Sequence, residues 1–357
     1  MKSKSPTRLI TCSLLLLSAA ASALWAQSYK IVDLGGLSGG NTVARKINLT
    51  GQTVGGSGKM YGVNIRAFIW SGGGLLSLGT LPGGNYSFAF DINQSGTVVG
   101  ESNTATVIRA FLWNATAGMQ DLGTLPGDTG SRAFGINDSG QVVGYSSGPN
   151  GVTAFVWQKS TGMTNLGTLP GGNTSKAFDL NKGGAIVGVS STSSGEMHAC
   201  LWPSSHGMQD LGTLKGNNTS EAHKINNSGY VIGSSSSVNV THAFFWTSSG
   251  GMQDLGTLGG DFSDALDLNN NGEVVGTSTD SHGARAFHWT SNTGMQDLNA
   301  LIPANSNVVL TSAIGINNAG LIVAIGAATT DISNPLDTDD THRHAGPVHA
   351  FLLTPLH

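Results

Sequence analysis

Leu-Gly pairs preceded by an acidic or small polar residue punctuate this chain at near-constant intervals: Asp33-Leu34-Gly35, Ser77-Leu78-Gly79, Asp121-Leu122-Gly123, Asn165-Leu166-Gly167, Asp210-Leu211-Gly212, Asp254-Leu255-Gly256 and a degenerate Asp297-Leu298-Asn299. The leucines advance by 44, 44, 44, 45, 44 and 43 positions. A period in this range marks one supersecondary unit that cannot bury its own apolar faces and must stack against copies of itself.

Aligning the copies gives four short strand candidates in each. The first is Ala89-Phe90-Asp91-Ile92-Asn93 and its equivalents, followed by an Asn-x-x-Gly turn such as Asn93-Gln94-Ser95-Gly96, in which Asn and Gly suit the positive φ of a tight hairpin. The second is of Val98-Val99-Gly100 type, the third of Ala110-Phe111-Leu112-Trp113 type, and the fourth runs into Asp121-Leu122-Gly123. Apolar residues occupy both alternating positions of the third strand, so both faces of each small sheet must be covered. Blades around an axis achieve this, whereas a two-layer sandwich covers one face only. The sequence therefore predicts an all-β, seven-bladed β-propeller of four-stranded blades, with a right-handed solenoid as the rival. Closure is legible at the termini: Lys30–Gly35 is an isolated fourth strand, and His349–Leu353 is a third strand with no fourth after it. Pairing the two completes a seventh blade from residues 309–355 and 29–35 and leaves no open edge.

Residues 1–26 read as a secretory signal peptide: Lys2, Lys4 and Arg8, an apolar run from Leu9 to Ala23, then the small residues Ala21-Ser22-Ala23 and Ala26. Residues 27–357 then form one propeller domain. No other stretch approaches the length of a membrane-spanning helix, so the expectation is an exported, monomeric protein. Removing the three leader cations leaves 14 Lys and Arg against 21 Asp and Glu, a net charge of −7. An acidic chain without a Lys/Arg cluster argues against nucleic acid as a partner. Its cysteines are Cys12, in the leader, and Cys200, so the mature domain has no internal disulfide.

The third strand is led by His-Ala-Phe at His242-Ala243-Phe244 and His349-Ala350-Phe351, by His198-Ala199-Cys200 in one copy, and by Arg66, Arg109, Arg285 or Thr153 in the histidine's place elsewhere. With the recurrent Asp-Leu-Gly and Val-Val-Gly elements, this set resembles the HAF-repeat family of predicted extracellular bacterial proteins over essentially the whole mature chain. The resemblance implies a secreted repeat protein and assigns no catalytic residue.

Features shared by every copy are expected to build blades. Trp70, Trp113, Trp157, Trp202, Trp246 and Trp289 are therefore read as core aromatics rather than a sugar-stacking site. The His or Arg ahead of Ala-Phe is read as structural. Asp267-Leu268-Asn269-Asn270-Asn271-Gly272 opens like a calcium loop, but the acid expected at its twelfth position falls on Ser278, so a plain hairpin turn is favoured. Asp91, Asp179 and Asp267 on first strands are read as strand-edge residues rather than an axial acid cluster. The loops after the second strands vary between copies and are expected on one face with the Leu-Pro-Gly-Gly-Asn linkers, which makes that face the candidate binding surface. One loop there is unusual. From the second-strand valine or isoleucine to the third-strand alanine takes 11 to 13 positions in the other copies, but 27 from Val323 to Ala350. The insertion holds Asp337, Asp339, Asp340, His342, Arg343 and His344. Asp337, Asp339, Asp340, His342 and His344 are candidate metal ligands, the carboxylates suiting calcium and the His-x-His a zinc-like ion, against the alternative of a solvated polar loop.

No nucleophile elbow, zincin motif or phosphate loop occurs. The leading expectation is a secreted, non-enzymatic recognition module for extracellular glycan, cell-wall polymer or protein. The alternatives are an exported hydrolase or polysaccharide lyase with an axial site, and a structural surface or matrix protein. A convergent carboxylate pair in the axial funnel would favour the enzyme.

Overall fold

A computed structural model describes residues 29–37, 41–58, 64–204, 207–328 and 348–356. It contains seven four-stranded antiparallel sheets, each drawn from one repeat. Blades 1 to 6 span residues 41–79, 87–121, 130–165, 175–212, 219–254 and 263–297. Blade 7 combines Val308–Ile316, Ile322–Ala328 and His349–Pro355 with the N-terminal strand Tyr29–Asp33. Tyr29 stands opposite Pro355 and Asp33 opposite Phe351, so the expected closure by the two termini is present.

The first strands contact one another around the whole ring and therefore line the axis, with the fourth strands outermost. Seven apolar clusters fill the interfaces between neighbouring blades. In one, Val99 and Ala110 of blade 2 meet Ala133, Ile136, Val142 and Phe155 of blade 3. The equivalent cluster between blades 7 and 1 joins Val323 and Ala350 to Ala44, Ile47 and Phe68. Each sheet is thus covered on both faces, as the third-strand pattern requires. Trp202, Trp246 and Trp289 are buried in these clusters, and Trp70, Trp113 and Trp157 pack against them half-buried.

Every first strand carries a β-bulge at the same place, between Ala89 and Asp91 in blade 2 and between Ala133 and Gly135 in blade 3. The bulge explains the glycine of Val-Val-Gly. A Cβ at Gly144 would lie 1.9 Å from the Arg132 carbonyl oxygen, and one at Gly100 would lie 2.0 Å from that of Phe88. In these blades the inner strand, pushed towards its neighbour by the extra residue, leaves no room for a side chain there, whereas blade 7 accommodates Ala324 at the same position opposite its own bulge.

The Asn-x-x-Gly turns contain a second device. The positive φ is carried by the glycine, as at Gly96 (78°), while the asparagine is not among the residues with positive φ. Instead the Asn137 Oδ1 accepts from the Gln141 backbone N–H, and its Nδ2 donates to the Asn181 carbonyl of the next blade at 3.2 Å. Asn48, Asn93, Asn181, Asn226, Asn269 and Asn317 make the same bond to the following blade, and Asn317 returns to the Asn48 carbonyl. Seven asparagines therefore tie seven blades into a closed ring around one end of the axis.

Candidate functional site

The bulge determines what faces the axis. In a regular strand adjacent residues point to opposite faces, but here two consecutive residues between the alanine and the Ile-Asn or Leu-Asn both line the central passage. The outer member of each pair gives one layer: Arg45, Phe90, Phe134, Phe178, His223, Leu266 and Ile314. The inner member gives another: Lys46, Asp91, Gly135, Asp179, Lys224, Asp267 and Gly315. Two cavities open from opposite ends. One, of about 200 Å³, is framed by the asparagine turns and reaches Lys46, Asp91 and Asp179. The other, of about 240 Å³, is lined by the first layer and by Lys224. The charged layer is the partition between them.

That partition is internally paired. Lys46 Nζ reaches both oxygens of the fully buried Asp267 at 2.7 and 2.9 Å, and Lys224 Nζ lies 3.6 Å from Asp179. Each aspartate also accepts a backbone N–H across the blade boundary: Asp91 from Ile136 at 2.9 Å, Asp179 from Ile225 at 3.0 Å and Asp267 from Ile316 at 2.9 Å. These three aspartates are thus axial and buried, not strand-edge residues as the sequence suggested. The reason is the bulge, which turns the residue after Phe90, Phe178 or Leu266 inward. Asp91 has no cation within ion-pair distance among the described residues. Burial pushes its carboxyl up to about 6, against the pull of Lys224 and Lys46, and the Asp179 carboxylate adds to the rise.

The 240 Å³ cavity opens on the face of the second-to-third-strand loops. Those loops lie beside the linkers as expected: Asn103 Oδ1 accepts from the Asn85 N–H, and a Cβ on Gly83 would lie 3.3 Å from Ala105. One wall is aromatic. Phe90 and Phe134 have ring centroids 4.9 Å apart, Phe134 and Phe178 5.6 Å, and Phe178 and His223 6.3 Å, an arc running across four consecutive blades. Charged side chains surround it. The Arg45 guanidinium lies 5.5 Å from the centre of the Phe88 ring, which itself sits 5.2 Å from Phe90. Arg132 and Lys176 lie 5.9 and 5.6 Å from the Tyr145 ring, and Tyr145 is 5.7 Å from Phe134. Arg132 is also paired at 2.7 Å with Glu101, which accepts from the Tyr86 hydroxyl. On the opposite side, burial alone would lower the His223 pKa. Asp264 at 3.2 Å, with Glu221 and the Ala265 carbonyl, instead holds it well above the usual histidine range.

The other sequence candidates resolve differently. His198 and His242 pair through Nδ1 with Asp210 and Asp254 of Asp-Leu-Gly at 2.9 and 2.8 Å, and His349 pairs with Asp33. The same aspartates accept from the glycine N–H two residues on, as Asp210 does from Gly212 at 2.8 Å. The two motifs therefore lock the third strand to the turn after the fourth, a structural role. In the calcium-like turn, Asn269 Oδ1 accepts from the Asn271 and Glu273 N–H groups while Asp267 is engaged with Lys46, so the segment is a hairpin turn. Asp337, Asp339, Asp340, His342, Arg343 and His344 lie outside the described residues, as does segment 1–26, which the sequence reading takes as a leader. Among the described residues no group of three or more metal-ligating side chains converges, and no helix is long and apolar enough to cross a membrane.

Sequence reading missed the axial layers although a signal existed. Ala133 and Ile136 are three apart, a spacing a regular strand cannot put on one face, yet both pack into the same cluster against blade 2, so the two residues between Ala and Ile-Asn mark the bulge.

No family model matches the chain, and no curated protein matches it. Among solved structures it is similar to TolB from Acinetobacter baumannii, with 10% identity, a TM-score of 0.48, and 65% of this chain and 59% of that one covered. It is also similar to a mutant of the Aleuria aurantia lectin in complex with Fucalpha1-6GlcNAc, at 11% identity and a TM-score of 0.40, covering 76% and 94%. A third is Porphyromonas gingivalis dipeptidyl peptidase 4, at 15% identity and a TM-score of 0.45, covering 82% and 51%. The match thus spans less than two thirds of the TolB and peptidase chains.

Proposed function

We propose that this chain is an exported recognition module of the HAF-repeat type that binds extracellular glycan or cell-wall polymer, without turnover, in the aromatic funnel on its variable-loop face. The observation that carries the reading is the arc Phe90, Phe134 and Phe178 inside a concave site rimmed by hydrogen-bonding side chains. Aromatic faces pack against the apolar C–H faces of sugar rings, and surrounding charged groups take their hydroxyls, a division of labour typical of small-ligand sites. The strand ends on either side of the acidic insertion, Ala328 and His349, belong to the second and third strands of blade 7. Export rests on the leader-like segment 1–26 and is tested by N-terminal sequencing of the protein recovered outside the cytoplasm.

The binding test is a screen of the mature protein against glycans and cell-wall fragments, with and without calcium, beside F134A, F178A and a variant lacking residues 331–346. Retention that disappears in F134A and F178A, with thermal unfolding preserved, is the expected result. Retention unchanged in both variants would remove the funnel from the reading. Loss of calcium-dependent binding on deleting 331–346 would make Asp337, Asp339, Asp340, His342 and His344 metal ligands.

One observation favours a second reading, an exported hydrolase. Asp91 and Asp179 both line the cavity framed by the asparagine turns, and burial, with the Asp179 carboxylate adding to it, pushes the Asp91 carboxyl up to about 6, a pattern that resembles a general acid beside a second carboxylate. Both Asp91 oxygens, however, accept backbone N–H groups, from Ile92 and Ile136. D91N separates the readings: it abolishes any turnover in the hydrolase and leaves funnel binding intact in the recognition module.

A further inference from the structure

The geometry points to an acidic sugar, a uronic acid residue at the end of a saccharide chain, as the ligand of the aromatic funnel, with Arg45 in the cavity receiving its carboxylate and Lys176, against Tyr145 on the same face, adding positive charge. The inference rests on the recognition reading and specifies what that site selects.

Charge at the funnel runs against the charge of the protein. The mature chain is strongly acidic, yet three cations, Arg45, Arg132 and Lys176, stand against the aromatic side of this mouth. Ion pairs of Lys and Arg among the described residues use Lys46, Arg132, Lys224 and Arg285. Arg45 and Lys176 are outside that set. Each is positioned over an aromatic face rather than a carboxylate, Arg45 by Phe88 and Lys176 by Tyr145, and these rings are continuous with Phe90 and Phe134. Arg45 is lined into the cavity itself and remains open to solvent there. A guanidinium so held offers a planar fork to a carboxylate without paying to break an existing pair. Low-dielectric ring faces on one side strengthen the attraction.

The remaining groups suit the rest of a sugar acid. Phe134 and Phe178 provide the stacking face. Glu221, which lines the cavity, has acceptor oxygens for hydroxyl hydrogens, and the imidazole of His223 beside it keeps that side from repelling an anion outright. The volume, about 240 Å³, is smaller than a typical drug-sized pocket and fits one ring. The charged partition below blocks passage of a chain through the axis. The site therefore takes a terminal residue rather than an internal one.

Calorimetric titration of the mature protein decides it, with trigalacturonic acid, the neutral cellotriose and 4-hydroxybenzoate as probes, for the native chain, R45Q/K176Q and F134A. Wild type is expected to bind the acidic trisaccharide at least about tenfold tighter than cellotriose, a preference that shrinks as salt rises. R45Q/K176Q is expected to lose that preference, the acidic trisaccharide losing at least about tenfold more affinity than cellotriose, and F134A to lose binding of both, each variant unfolding at the native temperature. Equal binding of the two saccharides, or acid preference surviving in R45Q/K176Q, overturns the acidic ligand and leaves the recognition reading standing. Tight binding of 4-hydroxybenzoate with none of either saccharide overturns the sugar. Absence of binding to every probe and to the wider glycan screen removes the recognition reading itself.

Discussion

At the scale of single residues, two positions convert geometry into measurable cost. Gly144 faces the Arg132 carbonyl oxygen where a Cβ would lie only 1.9 Å away, and that contact is backbone on both sides, so no flexible side chain can yield. G144A should destabilise the domain by at least about 2 kcal/mol in urea unfolding, at the upper end of overpacking effects; a loss below half of that would mean the bulge relaxes. Asp91 gives a pH signature. Its folded carboxyl titrates near 6, above the ordinary aspartate value of 3.8, so between those values the folded state holds more proton than the unfolded state. Its contribution therefore favours folding at low pH and fades as pH rises towards about 6, by a few kcal/mol at most. Subtracting the unfolding free energies of D91N from those of the native chain across pH 4 to 8 should show that decline. A flat difference would place the Asp91 titration elsewhere.

At the scale of the element, the recurring unit is the inner hairpin, and its asparagine does more than shape a turn. Asn137 satisfies the Gln141 N–H inside its own blade and the Asn181 carbonyl in the next, so truncation strands polar groups in both. N137A should cost about 2 to 3 kcal/mol, measured by urea unfolding, whereas a substitution of the exposed Asp138 beside it should change stability far less. Much of this hairpin could be read from sequence: Asn-x-x-Gly marks the turn, and Val-Val-Gly marks the strand leaving it. What escaped was the consequence of one extra residue. Strict alternation places Phe90 and Asp91 on opposite faces, and only the bulge brings both to the axis, where Asp179 and Asp267 pair with lysines from other blades and Asp91 is left without one among the described residues. Residues such as Lys46 and Asp267, 221 positions apart, become partners through ring closure, which no local pattern encodes. The charged insertion drew attention because local composition is visible in a sequence; the aromatic arc did not, because Phe90, Phe134 and Phe178 look like ordinary strand residues until seven blades are assembled.

At the scale of the whole molecule, stability depends on closing the ring, and the termini reveal how. Tyr29 begins the N-terminal strand opposite Pro355, near the end of the C-terminal strand, and Tyr29 and Leu34 are buried in the clusters on either side of blade 7. Deleting residues 27–35 removes these anchors and the His349–Asp33 pair, and uncovers the strand His349–Pro355 as a free edge. The deletion should lower stability by roughly 5 kcal/mol, from the lost burial of Tyr29, Ile31 and Leu34, and should make the protein aggregate with concentration through the open edge. The register then suggests a rescue. Because residue 29 starts where residue 355 ends, moving residues 27–35 to follow His357 turns an association of distant termini into a local hairpin, with Leu356, His357, Gln27 and Ser28 as its turn. Such a permutant keeps every blade contact and shortens the loop that closure must fix, so it should recover native stability and refold faster than the native chain. If appending the segment restores neither the unfolding temperature nor solubility, the N-terminal strand does not stabilise the propeller by completing blade 7, and the ring is held by its asparagine staples and blade interfaces alone.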